Sequence, residues 1–253
     1  MRFFWSVPFD LDGAKLHYGD RGFAVFPGVM LPAMCDWINR RFRAVADSDF
    51  APILNHDRTD ALVQDAVMRN RAVVNIVEHM TGFECCGCQT YFLFKEPGTR
   101  FANQSWNPHQ DNSYPQAEPE AYLAAAISLC DQDAESGGLF VYPGTHKLGL
   151  LPFEPRVSYR EAEGERPGNL CKLPPGIILR EGWPATDPRE PEKTEWFDLG
   201  EISPKGVRIY DKMDITLNKG DAIVFGGNLI HGSYANRSDR PRPMVITNYL
   251  KKG

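Results

Sequence analysis

"WNPHQDNSYP", Trp106 to Pro115, places a histidine and an aspartate, His109 and Asp111, two residues apart. Side chains at positions i and i+2 of a β-strand project to the same face, so at a strand end these two groups would point together into the fold while Gln110 turns away. An imidazole beside a carboxylate offers two metal ligands. The stretch therefore predicts part of a metal site built on β-structure.

A third ligand is available in "FGGNLIHGSYANRSDRPRP", where His231 comes at the end of a β-prone run. Two histidines and one carboxylate form the facial triad of non-haem Fe(II) oxygenases, which leaves three coordination positions open. The alternative is that the His109-x-Asp111 triplet arises by chance and that His231 is a packing residue. Features near the three residues must decide between the two interpretations.

Arg242 follows His231 by eleven residues. If the two residues flank a hairpin, they stand on neighbouring antiparallel strands, and the guanidinium can grip a carboxylate bidentately. Ser233 could share that carboxylate through its hydroxyl. The alternative is a solvated arginine in a basic turn with Arg237 and Arg240. The spacing favours a carboxylate clamp beside the metal, which is what a bound 2-oxoglutarate would need.

The rest of the chain predicts a mainly β fold with flanking helices. We expect a strand over Phe23 to Phe26, a helix from about Pro32 to Ala46, and a second helix within Asp60 to Met80 that Gly82 closes. After Gly82, short β-prone runs bounded by Gly, Pro, Asn or Asp are typical of an antiparallel sandwich or barrel. We therefore expect one domain over 1–253, helical over about 1–82, with a β core over about 83–253 and a lid insertion over about 150–214.

Composition narrows the classes of partner. The formal net charge of −5 gives no broad basic face for nucleic acid, and no run approaches the roughly 20 apolar residues of a membrane span. The start lacks the features of a signal peptide, so we expect a cytoplasmic protein with a small-molecule substrate; the oligomeric state stays open. The six cysteines are expected to be reduced, and the spacing in "CCGC" does not match structural zinc.

Several segments resemble, in order, the phytanoyl-CoA dioxygenase-like superfamily, which includes ectoine hydroxylase and many biosynthetic hydroxylases. They are "GFAVFPGVM", "QTYFLFKEPG", "WNPHQDNSY", "ISLCDQDAESGGLFVYPGTHKLG" and "ITLNKGDAIVFGGNLIHGSYANRSDRPRPMVITNY". The most specific piece is H-G-S-x-x-N-x-S-x-x-x-R, His231 through Arg242. The resemblance is weakest between Leu150 and Asp214. It implies a double-stranded β-helix, also called a jelly roll or cupin-like fold, that binds Fe(II) and 2-oxoglutarate and uses O₂.

The resemblance also implies roles for individual residues. The expected iron ligands are His109, Asp111 and His231. Arg242 and Ser233 match the anchor of the co-substrate, Lys95 matches a 2-oxoglutarate-binding lysine, and Gln89 matches a substrate-binding glutamine of the ectoine hydroxylases. Tyr91 would face the barrel from the strand that carries Lys95. Further candidate substrate contacts are Asn112, Tyr114 and the lid residues Arg180, Trp183 and Trp196, each of which could instead be an ordinary packing residue.

The predicted activity is hydroxylation of an unactivated C–H bond in a small polar metabolite or a natural-product intermediate, with release of succinate and CO₂. Desaturation, ring closure and epoxidation use the same oxidant and stay open. Halogenases on this scaffold have Ala or Gly where this chain has Asp111, so halogenation is disfavoured. Two rival classes are a binding jelly roll without redox chemistry and a cupin-type metalloenzyme that does not use 2-oxoglutarate.

Overall fold

The computed structural model describes residues 9–43, 53–55, 61–155, 169–181, 201–202 and 207–253. In this part of the chain, two antiparallel sheets lie face to face, and helices cover the outside of the larger one. The predicted jelly roll is confirmed. No helix among the described residues combines the length and the apolar character that crossing a bilayer demands.

The larger sheet contains six described strands in the order β1-β13-β5-β15-β3-β2. All neighbouring pairs are antiparallel. The sequences are rich in the β-branched and aromatic residues that favour strands. The strands are β1 (Phe23–Phe26), β2 (Ile53–Asn55), β3 (Cys85–Lys95), β5 (Tyr122–Ser128), β13 (Ala222–Gly226) and β15 (Arg242–Lys251).

The smaller sheet contains four described strands in the order β12-β6-β14-β4. They are β4 (Trp106–His109), β6 (Leu139–Val141), β12 (Met213–Asp214) and β14 (His231–Ser233). An apolar core fills the space between the two sheets and fixes their separation. Its buried residues include Phe23, Ala124, Ala126, Phe225 and Met244 from the larger sheet and Leu139, Val141 and Met213 from the smaller one.

Four helices precede β3 in the described part of the chain. They are α1 (Leu11–Arg21), α2 (Pro32–Arg43), α3 (Ala61–Ala66) and α4 (Arg71–Thr81). Helices α2 and α4 contribute Ile38, Ile76 and Val77 to a second core, which also contains Phe92 and Val245 from the outer face of the larger sheet. This layer leaves the inner face of the sheet to form the site.

The helical region differs from the prediction in two places. The single helix expected within Asp60 to Met80 is two helices, because Asn70 caps α4 by accepting from Ala72 N at 3.1 Å and also donates to Ala66 O at 3.1 Å. Helix α1 was not predicted. Because none of its residues is fully buried, its sequence lacks the apolar stripe from which a helix is recognised. The expected end of the earlier helix at Ala46 lies outside the described residues.

The region from about 150 to 214 was predicted to be loops, and its described parts contain strands. Strand β7 (Phe153–Glu154) pairs antiparallel with β8 (Leu170–Cys171), and a separate small sheet has the order β10-β11-β9. Those three strands are β9 (Ile177–Arg180), β10 (Glu201–Ile202) and β11 (Arg208–Asp211). Strands of two to four residues give too short a period-2 pattern to be recognised in a sequence rich in proline and charge.

The prediction that His231 and Arg242 lie on neighbouring antiparallel strands is wrong. His231 begins β14 in the smaller sheet, whereas Arg242 begins β15 in the larger one, where it pairs with Lys95. The chain between them crosses from one sheet to the other instead of making a hairpin. The predicted site therefore has to be assembled across the interior of the fold.

Candidate metal centre and carboxylate clamp

His109, Asp111 and His231 come together inside the fold. Their potential ligand atoms all lie within 4.8 Å of one another, and no other such group of three occurs among the described residues. The Asp111 Oδ1 atom lies 3.4 Å from His109 Nε2 and 3.6 Å from His231 Nε2. Bonds from a metal ion to nitrogen or oxygen ligands are about 2.0–2.2 Å long, so one small cation can contact all three side chains.

Strand pairing brings the two histidines together. In the register of β4 and β14, His231 lies directly opposite His109, and the two imidazole centroids are 4.4 Å apart. Gly232 permits this close approach, since a Cβ atom there would lie 2.6 Å from the backbone oxygen of Trp106. Asp111 is not on the strand as predicted; it begins a 3-10 turn, Asp111–Ser113, directly after β4.

Backbone carbonyl groups orient both imidazole rings. His109 Nδ1 lies 2.7 Å from Asn107 O, and His231 Nδ1 lies 3.1 Å from Leu229 O. A proton on each Nδ1 makes these hydrogen bonds and leaves the Nε2 lone pair facing the shared centre. The carbonyl of the residue two positions earlier thus selects the tautomer that can bind a metal.

Electrostatics favours the protonation states that a metal requires. Burial, with a smaller contribution from His109, lowers the pKa of His231 to about 4, so this imidazole is neutral near pH 7. Burial alone would raise the pKa of Asp111, but the adjacent His231 and His109 outweigh it and leave the pKa below its usual value. A neutral imidazole and an ionised carboxylate both offer lone pairs.

Gln110, between the two ligands of the first motif, was expected only to turn away from the site. Its side chain does so and is buried, but it connects three segments. Nε2 donates to Gly149 O at 2.8 Å and to Asn228 O at 2.6 Å, and Oε1 accepts from Leu151 N at 2.8 Å. Asn228 precedes the His231 strand, so Gln110 ties the His109–Asp111 segment to the segment that carries the third ligand.

The predicted substrate contact Asn112 has a comparable internal role. Its Nδ2 donates to Ala117 O at 3.1 Å and to Asn228 Oδ1 at 3.0 Å, and its Oδ1 accepts from Ala117 N at 2.9 Å. Both amide protons are used within the chain, which favours a positioning role over substrate binding. No periodicity in the sequence signals such a network, because it depends on which backbone groups the fold leaves unpaired.

Arg242 lies in the interior with 1% of its surface exposed. Its Nη2 donates to Gly137 O at 2.6 Å and its Nη1 contacts Met244 Sδ at 3.6 Å, while Nε is buried without a hydrogen bond. No carboxylate in the described part of the chain forms an ion pair with it. Burial lowers the pKa of Arg242 to about 10, which keeps it charged at neutral pH. A buried charge without a partner is costly, and a bound carboxylate would remove that cost.

Lys95, predicted at the edge of a strand, is also buried beside Arg242. Its Nζ donates to Ser233 Oγ and to Gln104 O, each at 3.0 Å, and to Tyr234 O. Burial, and secondarily the charge of Arg242, holds its pKa well below the usual value. The amino group has three acceptors, so it fixes Ser233 beside Arg242. Direct contact with a co-substrate stays a prediction.

The remaining residues that the sequence suggested for co-substrate or substrate binding lie on β3, at the surface or in the region of 150–214. Tyr91 donates to Gln89 Oε1, so these two side chains form a pair on β3. Tyr114 is 55% exposed, and its hydroxyl accepts a hydrogen bond from Asn169 N at 3.3 Å. Arg180 forms an ion pair with Asp211 on the small separate sheet. The lid candidates Trp183 and Trp196 lie outside the described residues.

The family model for phytanoyl-CoA dioxygenase (PhyH) matches residues 18–244, which includes the triad and Arg242. The chain belongs to the phytanoyl-CoA dioxygenase family. Similar curated members are the phytanoyl-CoA dioxygenase of Arabidopsis thaliana, 26% identical over 61% of this chain and 40% of that protein, and the peroxisomal enzyme of Rattus norvegicus, 25% identical over 70% and 43%. The chain thus aligns with about two-fifths of the length of these relatives.

Solved structures similar to this family member share its fold. EvdO2 from Micromonospora carbonacea var. aurantiaca superposes with a TM-score of 0.67 at 15% identity, covering 99% of this chain and 94% of that one. The α-ketoglutarate-dependent epimerase SnoN from nogalamycin biosynthesis gives 0.61 at 18% identity, with 95% and 83% covered. The carbocyclase SnoK from the same biosynthesis gives 0.62 at 17% identity, with 97% and 87% covered.

Substitution of Gln110 by Leu is expected to weaken metal binding. The change removes three hydrogen bonds that join the ligand-bearing segments, so the free energy of unfolding should fall by about 2–4 kcal/mol and metal affinity by roughly 10–100-fold. Urea denaturation and titration with Co(II), followed by its visible absorption, measure the two effects. Gln116→Ala, at the exposed end of the same loop, is the control. Unchanged Co(II) affinity in Gln110→Leu would contradict the positioning role.

Proposed function

We propose that this protein is an Fe(II)- and 2-oxoglutarate-dependent oxygenase that hydroxylates an unactivated C–H bond of a small polar molecule. The observation that carries the proposal is the combination of a two-histidine, one-carboxylate triad with a buried arginine that has no acidic partner in the described chain. Membership in the phytanoyl-CoA dioxygenase family supports it. The similar solved structures include an epimerase and a carbocyclase, so hydroxylation, as the outcome of the oxidation, is itself part of the proposal.

The residues of the site fit the two groups that this chemistry requires. His109, Asp111 and His231 would hold Fe(II) through nitrogen and oxygen, the ligands of the facial triad. The unpaired Arg242 would take the distal carboxylate of 2-oxoglutarate, with Ser233 as a second donor held in place by Lys95. Iron and 2-oxoglutarate held in this way would, with O₂, supply an oxidant that converts a substrate C–H bond to C–OH, while 2-oxoglutarate takes up the second oxygen atom and becomes succinate and CO₂.

The chain's own residues perform three tasks in this mechanism. His109, Asp111 and His231 would hold the metal from β4, the following turn and β14, which are adjacent in the structure. Arg242 anchors the co-substrate from the opposite sheet and so fixes its orientation. The buried surroundings, including Phe225 with its ring centroid 4.6 Å from that of His231, keep water away from the reacting atoms.

Loss of a metal ligand should abolish turnover without unfolding the protein. His109→Ala and Asp111→Ala are each expected to lower 2-oxoglutarate consumption at least about 100-fold, because two remaining ligands hold iron weakly. Succinate release measures the activity and circular dichroism the fold. The control is His79→Ala, which changes a surface histidine that pairs with Asp12. Full activity in either ligand variant would refute the assignment.

Substitution of Arg242 by Met should weaken the binding of 2-oxoglutarate. The KM for 2-oxoglutarate is expected to rise at least about tenfold, since a charge-assisted bidentate contact is lost. The ligand-free variant should unfold at the wild-type temperature or above, because the guanidinium has no acidic partner to leave unpaired. Arg240→Met, which affects a surface pair with Asp133, is the matched control. A cupin-type enzyme independent of 2-oxoglutarate would keep its activity in Arg242→Met.

The rival function is a binding protein with this fold and no redox chemistry. Anaerobic addition of Fe(II) and 2-oxoglutarate separates the two proposals. The oxygenase predicts a visible metal-to-ligand charge-transfer absorption and succinate formation after air is admitted. Absence of both signals would favour the binding protein.

A further inference from the structure

The inner face of the larger sheet carries polar groups at both ends. Arg242 lies at one end of β15, and Asn248 lies six positions along the same strand. At a rise of about 3.3 Å per residue, the two are separated by roughly 20 Å. Positions an even number apart share a face, so Asn248 looks into the same interior as Arg242 but at the far end.

Asn248 is a buried amide without a hydrogen bond. It is 3% exposed, and its Oδ1 is buried without a partner; within the described chain, no bond to its side-chain nitrogen occurs either. In the strand register it lies opposite Gln89 on one side and Ala124, a residue of the core between the sheets, on the other. A buried unpaired amide destabilises a fold, so packing alone does not explain asparagine at this position.

Tyr122 brings a second unpaired polar group to the same end. It lies two positions before Ala124 on β5, so its ring faces the same interior. Its hydroxyl makes no hydrogen bond in the described part of the chain. The ring packs against the turn before His231, since a Cβ atom on Gly227 would lie 2.7 Å from Tyr122 Cδ1. Gly227 N donates to Tyr122 O at 2.8 Å and Gly227 O accepts from Asn112 N at 2.9 Å, so Tyr122 lies next to the turn that carries the ligand Asp111. Burial and, next, the charge of Asp111 raise the pKa of Tyr122.

The neighbouring side chains add polarity without charge. Gln89 lies opposite Asn248 and accepts the hydrogen bond from Tyr91, and the Tyr114 ring is at the rim. Of these residues and their two unpaired neighbours, none is charged; among the described groups, the ligand Asp111 makes the largest charge contribution to the pKa of Tyr122. These residues would therefore provide no counter-charge to a buried phosphate, carboxylate or ammonium group of a substrate, whose burial would be costly.

We propose that Asn248 and Tyr122 bind the substrate, and that the substrate presents an uncharged hydroxyl or amide group to them. This inference rests on the proposed function, and it makes Asn248 a specificity-determining residue. A site built to hydrogen-bond such a group rejects analogues that lack it, because its own polar atoms would then stay unpaired. Free uncharged molecules are favoured over coenzyme A thioesters, whose phosphates need basic residues.

The first test measures stability without any ligand. Asn248→Leu, of nearly equal size, should raise the thermal unfolding temperature by a few degrees, because it removes an unpaired buried amide. The control is the adjacent Thr247→Val on the other face, where the hydroxyl bonds to Thr90 Oγ1 at 3.1 Å. That variant should unfold at a lower temperature. A lower unfolding temperature in both Asn248→Leu and Asn248→Ala would overturn the inference, since it would mean that the amide has a partner.

The second test measures substrate class. Wild type with Fe(II) and 2-oxoglutarate is offered methyl glucoside, myo-inositol and N-acetylglucosamine, and in parallel L-glutamate, L-lysine and hexanoyl-CoA. We expect an uncharged compound to raise 2-oxoglutarate consumption at least fivefold, with loss of this increase in Asn248→Leu and its retention in Thr247→Val. Stimulation by charged compounds alone, or no stimulation by any uncharged compound, would overturn the inference.

Failure of this inference is distinguishable from failure of the proposed function. Slow consumption of 2-oxoglutarate without substrate, and the absorption of the anaerobic iron complex, report on the triad and Arg242 in the wild-type protein. If both are present and the uncharged compounds fail, the substrate class is wrong. If both are absent, the oxygenase proposal itself fails.

Discussion

The site depends on the pairing of β4 with β14, which sets His109 directly opposite His231. Two short strands thereby supply two ligands on one face, and the turn that follows β4 adds Asp111. The glycine after His231 allows the strands to approach, and the carbonyls of Asn107 and Leu229 orient the rings. The rest of the fold maintains this register, with Gln110 tying the ligand segments together.

Arg242 and Lys95 lie on the larger sheet, whereas the two ligand histidines and Ser233 lie on the smaller one, so the core between the sheets sets the distance from Arg242 to the metal centre. Burial of the two basic side chains of the clamp lowers the stability of the ligand-free fold. Arg242 and Lys95 are both buried on adjacent strands. Gly137 accommodates them, because its φ is +89 and a Cβ atom at this position would lie 2.9 Å from Lys95 Cδ. The Gly137 carbonyl also accepts a hydrogen bond from Arg242. A fold selected for stability alone would not keep these two basic side chains buried together, and their presence therefore supports an anionic ligand.

The sequence predicted those features that depend on local spacing. The interval between His109 and Asp111, the run that ends in H-G-S and the alternation of short β-runs predicted the candidate ligands and an antiparallel sandwich or barrel, and the resemblance to the phytanoyl-CoA dioxygenase-like superfamily implied the jelly roll. Features that depend on partners distant in the chain were missed or misplaced. The hairpin expected between His231 and Arg242 is a crossing between sheets, and the roles of Gln110 and Asn112 follow from unpaired backbone groups of other segments. The apolar periodicity runs through position 70 and predicted one helix, but Asn70 is the N-cap of a second helix, α4.

The central claim is that two histidines from the smaller sheet, Asp111 from the turn after β4 and a guanidinium from the larger sheet form a single site. The most direct measurement is a crystal structure of the protein grown anaerobically with Fe(II) and 2-oxoglutarate, with anomalous scattering recorded at the iron edge. The account predicts one iron peak bound by His109 Nε2, the Asp111 carboxylate and His231 Nε2, with the far carboxylate of 2-oxoglutarate on Arg242. Iron bound elsewhere, or an Arg242 that contacts only protein in the presence of 2-oxoglutarate, would contradict it.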